Sequence, residues 1–125
     1  MPPQFKSIMK IEQMIYSVKL GKSEKERGQP HTVSVSVHLG FKSELKAEET
    51  DQIEDTICYS KVSKRIAELF VEREYKMIEH LGKVIYKKLK SELPLDAQIR
   101  VCAHKLRPPV HCIQGGVQYI CGDWT

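Results

Sequence analysis

No apolar run in this chain approaches the roughly 20 residues that a membrane-spanning helix needs, so no membrane partner is expected. The amino-terminal run Met1-Pro2-Pro3-Gln4-Phe5-Lys6 lacks the apolar stretch of a secretion signal, which leaves a cytoplasmic location as the default expectation. Cysteine is scarce: Cys58, Cys102, Cys112 and Cys121, with no C-x-x-C pair among them. A chain of 125 residues buries a core without disulfide staples, so reduced thiols are expected. A zinc site from Cys58, Cys102, His104, His111 and Cys112 would lack the usual paired ligand spacing, and the expectation is no metal. Tyr86 is the one aromatic residue among the lysine cluster Lys83, Lys87, Lys88 and Lys90. Without a series of stacking platforms a cluster of this kind reads as a solvated helix face, and no nucleic-acid partner is expected. Internal repeats, linkers and low-complexity stretches are absent, so residues 1–125 form a single domain.

What is present is periodicity. Residues 32–39 alternate strictly, with Val33, Val35, Val37 and Leu39 on one face and hydroxyls with His38 on the other. That pattern belongs to a strand of an antiparallel sheet with one face on the core. Residues 7–19 place apolar side chains at Ile8, Met9, Ile11, Met14, Ile15 and Val18, a spacing ambiguous between helix and strand. Because the alternating strand needs a partner, 7–19 is read as the other arm of a long hairpin, joined by the polar loop 21–30. Residues 43–56 are polar and acidic. From Ser60 the period becomes helical through Val62, Ile66, Leu69 and Phe70. A second helix carries Met77, Ile78, Leu81, Val84, Ile85 and Leu89 and ends before Pro94. Residues 97–103 and 117–121 read as strands, separated by a loop with Pro108-Pro109 and Gly115-Gly116. The order is β-β-α-α-β-β: an α+β class chain, with a four-stranded antiparallel sheet carrying two helices on one face. Such a thin unit has open sheet edges and a polar second face, so an oligomer is expected.

Four polar residues stand beside turns or element ends: Glu24, Tyr59, Glu79 and Lys105. Taken singly, each reads well without any function. Glu24 in Lys22-Ser23-Glu24-Lys25 is then a solvated loop carboxylate, and Tyr59 a half-buried anchor at a helix start. Glu79 then complements a helix dipole for roughly 0.3–1 kcal/mol, and Lys105 simply ends a strand.

Their order and local words resemble those of the dihydroneopterin aldolase family. The words are Gly28-Gln29 ahead of the alternating strand, Asp55-Thr56-Ile57-Cys58-Tyr59 before a helix, Ile78-Glu79-His80-Leu81, and Lys105 ahead of Pro108-Pro109 with Gly116-Val117 opening the last strand. The resemblance runs from about residue 7 to residue 121. It implies the tunnelling fold, in which chains close into an oligomeric barrel, and an octamer of two tetrameric rings. It implies a pterin substrate, 7,8-dihydroneopterin, cleaved by a retro-aldol reaction to 6-hydroxymethyl-7,8-dihydropterin and glycolaldehyde in folate biosynthesis, with no cofactor. Glu79 matches the family's ring-anchoring glutamate, and Lys105 its catalytic lysine, a role that calls for partial burial of the amine. Tyr59 matches a proton-shuttling tyrosine contributed by a neighbouring subunit, and Glu24 a catalytic loop glutamate. Ile57 and Ile78 are placed beside the ring. The chain departs from the family at Lys19, where glycine is usual, and at Gly82, where alanine is usual and glycine weakens a helix.

Three other readings share the fold. An epimerase of dihydroneopterin or its triphosphate would keep the same lysine and ring anchor, with Lys19, Lys22, Lys25 and Arg27 to receive phosphates. A zinc-dependent relative of the pyruvoyltetrahydropterin synthase or queuosine-pathway kind needs closely spaced strand histidines, whereas His38 stands alone between Val37 and Leu39. A non-catalytic pterin-binding protein would not need Glu79 and Lys105 together.

Overall fold

A computed structural model describes residues 4–94 and 96–125; of the amino-terminal run considered above, Met1–Pro3 lie outside the described residues. Five strands form one sheet in the order β3-β1-β2-β4-β5. They are β1 (Ser7–Leu20), β2 (His31–Phe41), β3 (Glu74–Tyr75), β4 (Gln98–Lys105) and β5 (Val117–Gly122). Four of them pair antiparallel, as the sequence predicts. The fifth, β3, corrects the four-stranded antiparallel expectation: it runs parallel to the end of β1 through Lys19–Glu74 and Leu20–Tyr75. Two residues are too short for any periodicity to register.

The alternation in β2 does what it predicts. Val33, Val35, Val37 and Leu39 are fully buried, and Ile99, Val101 and Ala103 of β4 continue the same face. The ambiguity of residues 7–19 also has a cause. A β-bulge breaks the register between Ile11 and Met14, where Gln13 takes a φ of 55° and donates its N–H to Ser36 Oγ at 2.9 Å. Inward positions therefore switch from odd (Met9, Ile11) to even (Met14, Tyr16, Val18, Leu20). An extra residue in one strand shifts every later side chain to the other face.

Helices cover the apolar face. Helix α3 (Tyr59–Glu68) buries Val62 and Ile66, and α4 (Ile78–Glu92) buries Leu81, Gly82, Ile85 and Leu89. Two single turns were not legible in the sequence: α1 (Glu24–Arg27), inside the expected loop 21–30, and α2 (Ala47–Thr50), followed by a 3-10 turn at Ile53–Asp55. Gly82 has a packing role. A Cβ there would stand 3.3 Å from Tyr119 Cδ2 and 3.4 Å from Cys121 Sγ, so glycine lets α4 lie close on β5. No described helix is long and apolar enough to cross a membrane.

The far end of α4 is locked by Asp123. Its carboxylate accepts Tyr86 Oη at 2.5 Å, Lys90 Nζ at 2.9 Å and the Ile99 N–H at 2.8 Å. Burial alone would raise the carboxyl's pKa, but the bonds from Lys90, Tyr86 and Ile99 outweigh it and hold it below the usual range. The same bond pushes Tyr86 up to about 12. A carboxyl depressed in the folded state stabilises fully above its unfolded value of about 4 and loses that contribution as pH falls through the lower folded value. Asp123→Asn should therefore cost on the order of 1–3 kcal/mol at neutral pH. In urea titrations the gap from wild type should shrink steadily below about pH 4. A gap independent of pH would refute the assignment.

Candidate active site

Lys105 closes the inward row of β4. By alternation it follows Ala103 on the helix-covered face, and its backbone pairs with Val33 of β2 and Val117 of β5. This leaves the side chain only 13% exposed. Its Nζ lies 2.6 Å from Glu26 Oε2, and the Glu26 side chain is 15% exposed. That hydrogen bond, more than the opposing burial, holds the Glu26 carboxyl below its ordinary pKa.

The loop carrying Glu26 is built locally. Ser23 caps α1, accepting the Glu26 N–H at 3.1 Å, and His31 Nε2 donates to the Glu26 carbonyl at 2.8 Å. Arg27 donates to the Gly21 carbonyl at 2.9 Å, and the Gly21 N–H donates to the Tyr75 carbonyl at 2.9 Å. The loop is thereby seated on β3. Glu24, the glutamate singled out from the sequence, opens α1 with an exposed side chain. Glu26, two residues on, is the one that meets Lys105; in sequence it is simply another acid in the same charged run. Lys19 is exposed on β1 and pairs through its backbone with Glu74.

The start of α4 stands at this same end of the sheet. Helix α4 runs antiparallel to β4, since Lys90 near its end reaches the Ala97 carbonyl while Gly82 near its start packs on Tyr119. Tyr119 pairs with Ala103. From Gly82 back to Ile78 is about 6 Å of helix rise, and from Ala103 on to Lys105 is about 6–7 Å of strand. Half-buried Ile78 and exposed Glu79 therefore come level with Lys105. Glu79 lies in the first turn of α4, where a negative charge is favoured by the helix dipole.

Ile57 and Tyr59 are elsewhere. Tyr59 opens α3, and Ile57, just before it, walls a hollow of about 750 Å³ together with Cys58, Arg65 and, from the end of α4, Glu92 and Leu93. The 15 residues of α4 put roughly 20 Å between that hollow and Glu79. Ile57 is buried at 3% exposure, whereas Tyr59 is 67% exposed. Beside it Cys58, considered in the sequence only as a zinc ligand, has its thiol pKa lowered chiefly by the Lys61 N–H. One chain thus brings Lys105, the loop 21–28, Ile78 and Glu79 together and leaves Ile57 and Tyr59 at the opposite end.

Among the described residues no group of three or more His, Cys, Asp or Glu side chains is placed to hold a metal ion. The candidate zinc residues are dispersed: Cys58 precedes α3, while on β4 Cys102 donates to Gln118 Oε1 and His104 to the Gly115 carbonyl.

Comparison with known proteins bears on what this arrangement serves. The model of the dihydroneopterin aldolase family (FolB) matches residues 9–120. The chain belongs to that family. A probable dihydroneopterin aldolase of Chlamydia trachomatis serovar D is 37% identical over 94 residues, covering 74% of this chain and 76% of the relative. Among solved structures, the Escherichia coli dihydroneopterin aldolase in complex with neopterin superposes with a TM-score of 0.81 at 15% identity, covering 93% of this chain and 97% of that one. A dihydroneopterin aldolase from Burkholderia thailendensis bound to guanine gives 0.72 at 14% identity, covering 95% and 91%. The α+β sheet with helices on one face is the tunnelling fold of these aldolases, and family membership makes the chain a lyase of folate biosynthesis.

Proposed function

We propose that this chain cleaves the C6 side chain of 7,8-dihydroneopterin by a retro-aldol reaction, in a site assembled from two copies. The observation that carries the reading is the partly buried Lys105 at the sheet end shared with the start of α4 and Glu79.

The Glu79 carboxylate accepts two parallel hydrogen bonds, from the 2-amino group and ring N3–H of the pterin. Neopterin and guanine, the ligands of the two solved relatives, both present this amino-pyrimidinone donor edge. With the ring held, Lys105 takes the proton of the side-chain 2′-hydroxyl, through a bridging water. The hydroxyl oxygen becomes the aldehyde carbonyl, the C1′–C2′ bond breaks, and its electron pair moves into the conjugated N5=C6 imine. Glycolaldehyde leaves, and a proton shuttled by Tyr59 converts the enol intermediate to 6-hydroxymethyl-7,8-dihydropterin. The substrate supplies its own electron sink, so the chemistry calls for no metal, Schiff base or organic cofactor. Glu24, at the mouth, orders water and substrate hydroxyls, while Ile57 and Ile78 flank the ring.

Incubation with 7,8-dihydroneopterin tests the reading. An aldolase releases glycolaldehyde. Dihydromonapterin as the sole product would replace the reading with an epimerase, and binding without product would make the chain a pterin-binding protein.

Tyr59 lies too far from Lys105 to serve it within one chain, and among the described residues the outer edge of β5, and that of β1 ahead of its pairing with β3 at Lys19, carry no partner strand. We therefore infer a homo-oligomer in which Tyr59 of one copy joins Lys105 and Glu79 of the next, an octamer of two tetrameric rings as the family resemblance implies. Tyr59→Phe and Lys105→Ala, each impaired alone, should recover about a quarter of wild-type activity when co-expressed, because random assembly pairs two intact halves at that frequency. No recovery from assembled mixtures would refute the shared site, as would an active monomer by light scattering.

A further inference from the structure

We propose that Glu26 is the positioning residue of Lys105, delivered to it by the α1 turn, so that the strand-end amine is held in one place by its bond to this carboxylate. The inference rests on the lyase reading above and adds to it a residue that none of the sequence words mark.

Three observations carry it. The two charged groups are 2.6 Å apart, and neither side chain exceeds 15% exposure. Such a pair is shielded from the screening that makes surface ion pairs weak. The carboxylate is placed by a sequence of local constraints: the Ser23 cap on the Glu26 N–H, the His31 bond to the Glu26 carbonyl, and the Arg27 bond to Gly21. Finally, Gly21 makes room for it, because a Cβ at that position would fall among the Cγ, Cδ and Oε1 atoms of Glu26. Lysine is a point charge on a flexible four-carbon stem, and an unpaired one would sample many positions around a substrate hydroxyl. Pinned by Glu26, the amine keeps one position, and proton transfer is sensitive to misplacements of about 1 Å.

Two variants of the full chain test this. Glu26→Gln keeps size and removes charge; Gly21→Ala keeps the charge and displaces the carboxylate. Both should lower kcat on 7,8-dihydroneopterin by about tenfold or more, with KM within about threefold of wild type. In Glu26→Gln the rising limb of the kcat–pH profile, on which the amine must give up its proton to act as a base, should move to lower pH, because the anion that favours the charged amine is gone. Glu26→Asp should restore part of the rate. Independently of activity, acetic anhydride followed by mass spectrometry should acylate Lys105 faster in Glu26→Gln than in wild type. Unchanged kcat in both variants, or a lower Tm without movement of the pH limb, would overturn the positioning role. If wild type releases no glycolaldehyde while Lys105 acylation still rises in Glu26→Gln, the pairing stands and the lyase reading fails.

Discussion

Lys105→Ala should lower kcat on 7,8-dihydroneopterin by about 10²–10⁴, the usual cost of losing one acid–base group, while pterin affinity changes little. The lysine ends the inward row of β4 and meets the site through its amine, away from the donor edge that Glu79 would hold. A lysine that only attracted the substrate would show the opposite split, a higher KM at unchanged kcat. Removing it also leaves Glu26 without its partner, so thermal unfolding of the variant must accompany the kinetics. A small shift in Tm with a large loss of kcat separates chemistry from stability. Single-turnover release of glycolaldehyde at the wild-type rate would return Lys105 to the status of an ordinary strand-end residue.

Glu79→Ala should abolish measurable pterin binding with the fold intact. Two donors of the ring edge would lose a charged acceptor, costing on the order of 1–3 kcal/mol or more, which is about fivefold to 150-fold or more in Kd. The alternative account of Glu79, a carboxylate that only complements the α4 dipole, predicts a loss of stability of about 0.3–1 kcal/mol and no effect on ligand. Its exposure makes that account easy to isolate, because nothing in the core depends on it. Titration with neopterin distinguishes the two, and near-normal affinity in the variant would remove the anchor.

Both experiments concern residues picked out by their neighbours in the sequence, whereas the carboxylate on Lys105 was not. Glu24 and Glu26 stand in one charged run and have similar local surroundings. Which of them reaches Lys105, 79 positions away, depends on the one-turn helix α1 and on the contact of Gly21 with β3. A run of four helical residues has no apolar period to announce it. The split of the candidate site is hidden for the same reason. Tyr59 and Glu79 lie twenty residues apart in sequence, yet the whole length of α4 separates their ends of the molecule.

The sequence by itself determined the α+β class, the inward face of β2, the buried positions Val62 and Ile66 of α3 and Leu81, Ile85 and Leu89 of α4, and the end of α4 before Pro94, though not that Leu69, Phe70 and Met77 fall outside those helices. These follow from periods of 2 and 3.6 and from proline's missing N–H, which act over a few residues and need no partner to be read. Only the tertiary structure decided that the inward face of β1 changes parity at Gln13, that Glu74–Tyr75 add a parallel strand, and that Lys105 meets Glu26. Those outcomes rest on register and on contacts between segments far apart in the chain. Their energy comes from pairing distant groups, and a local pattern carries no record of which distant group will arrive.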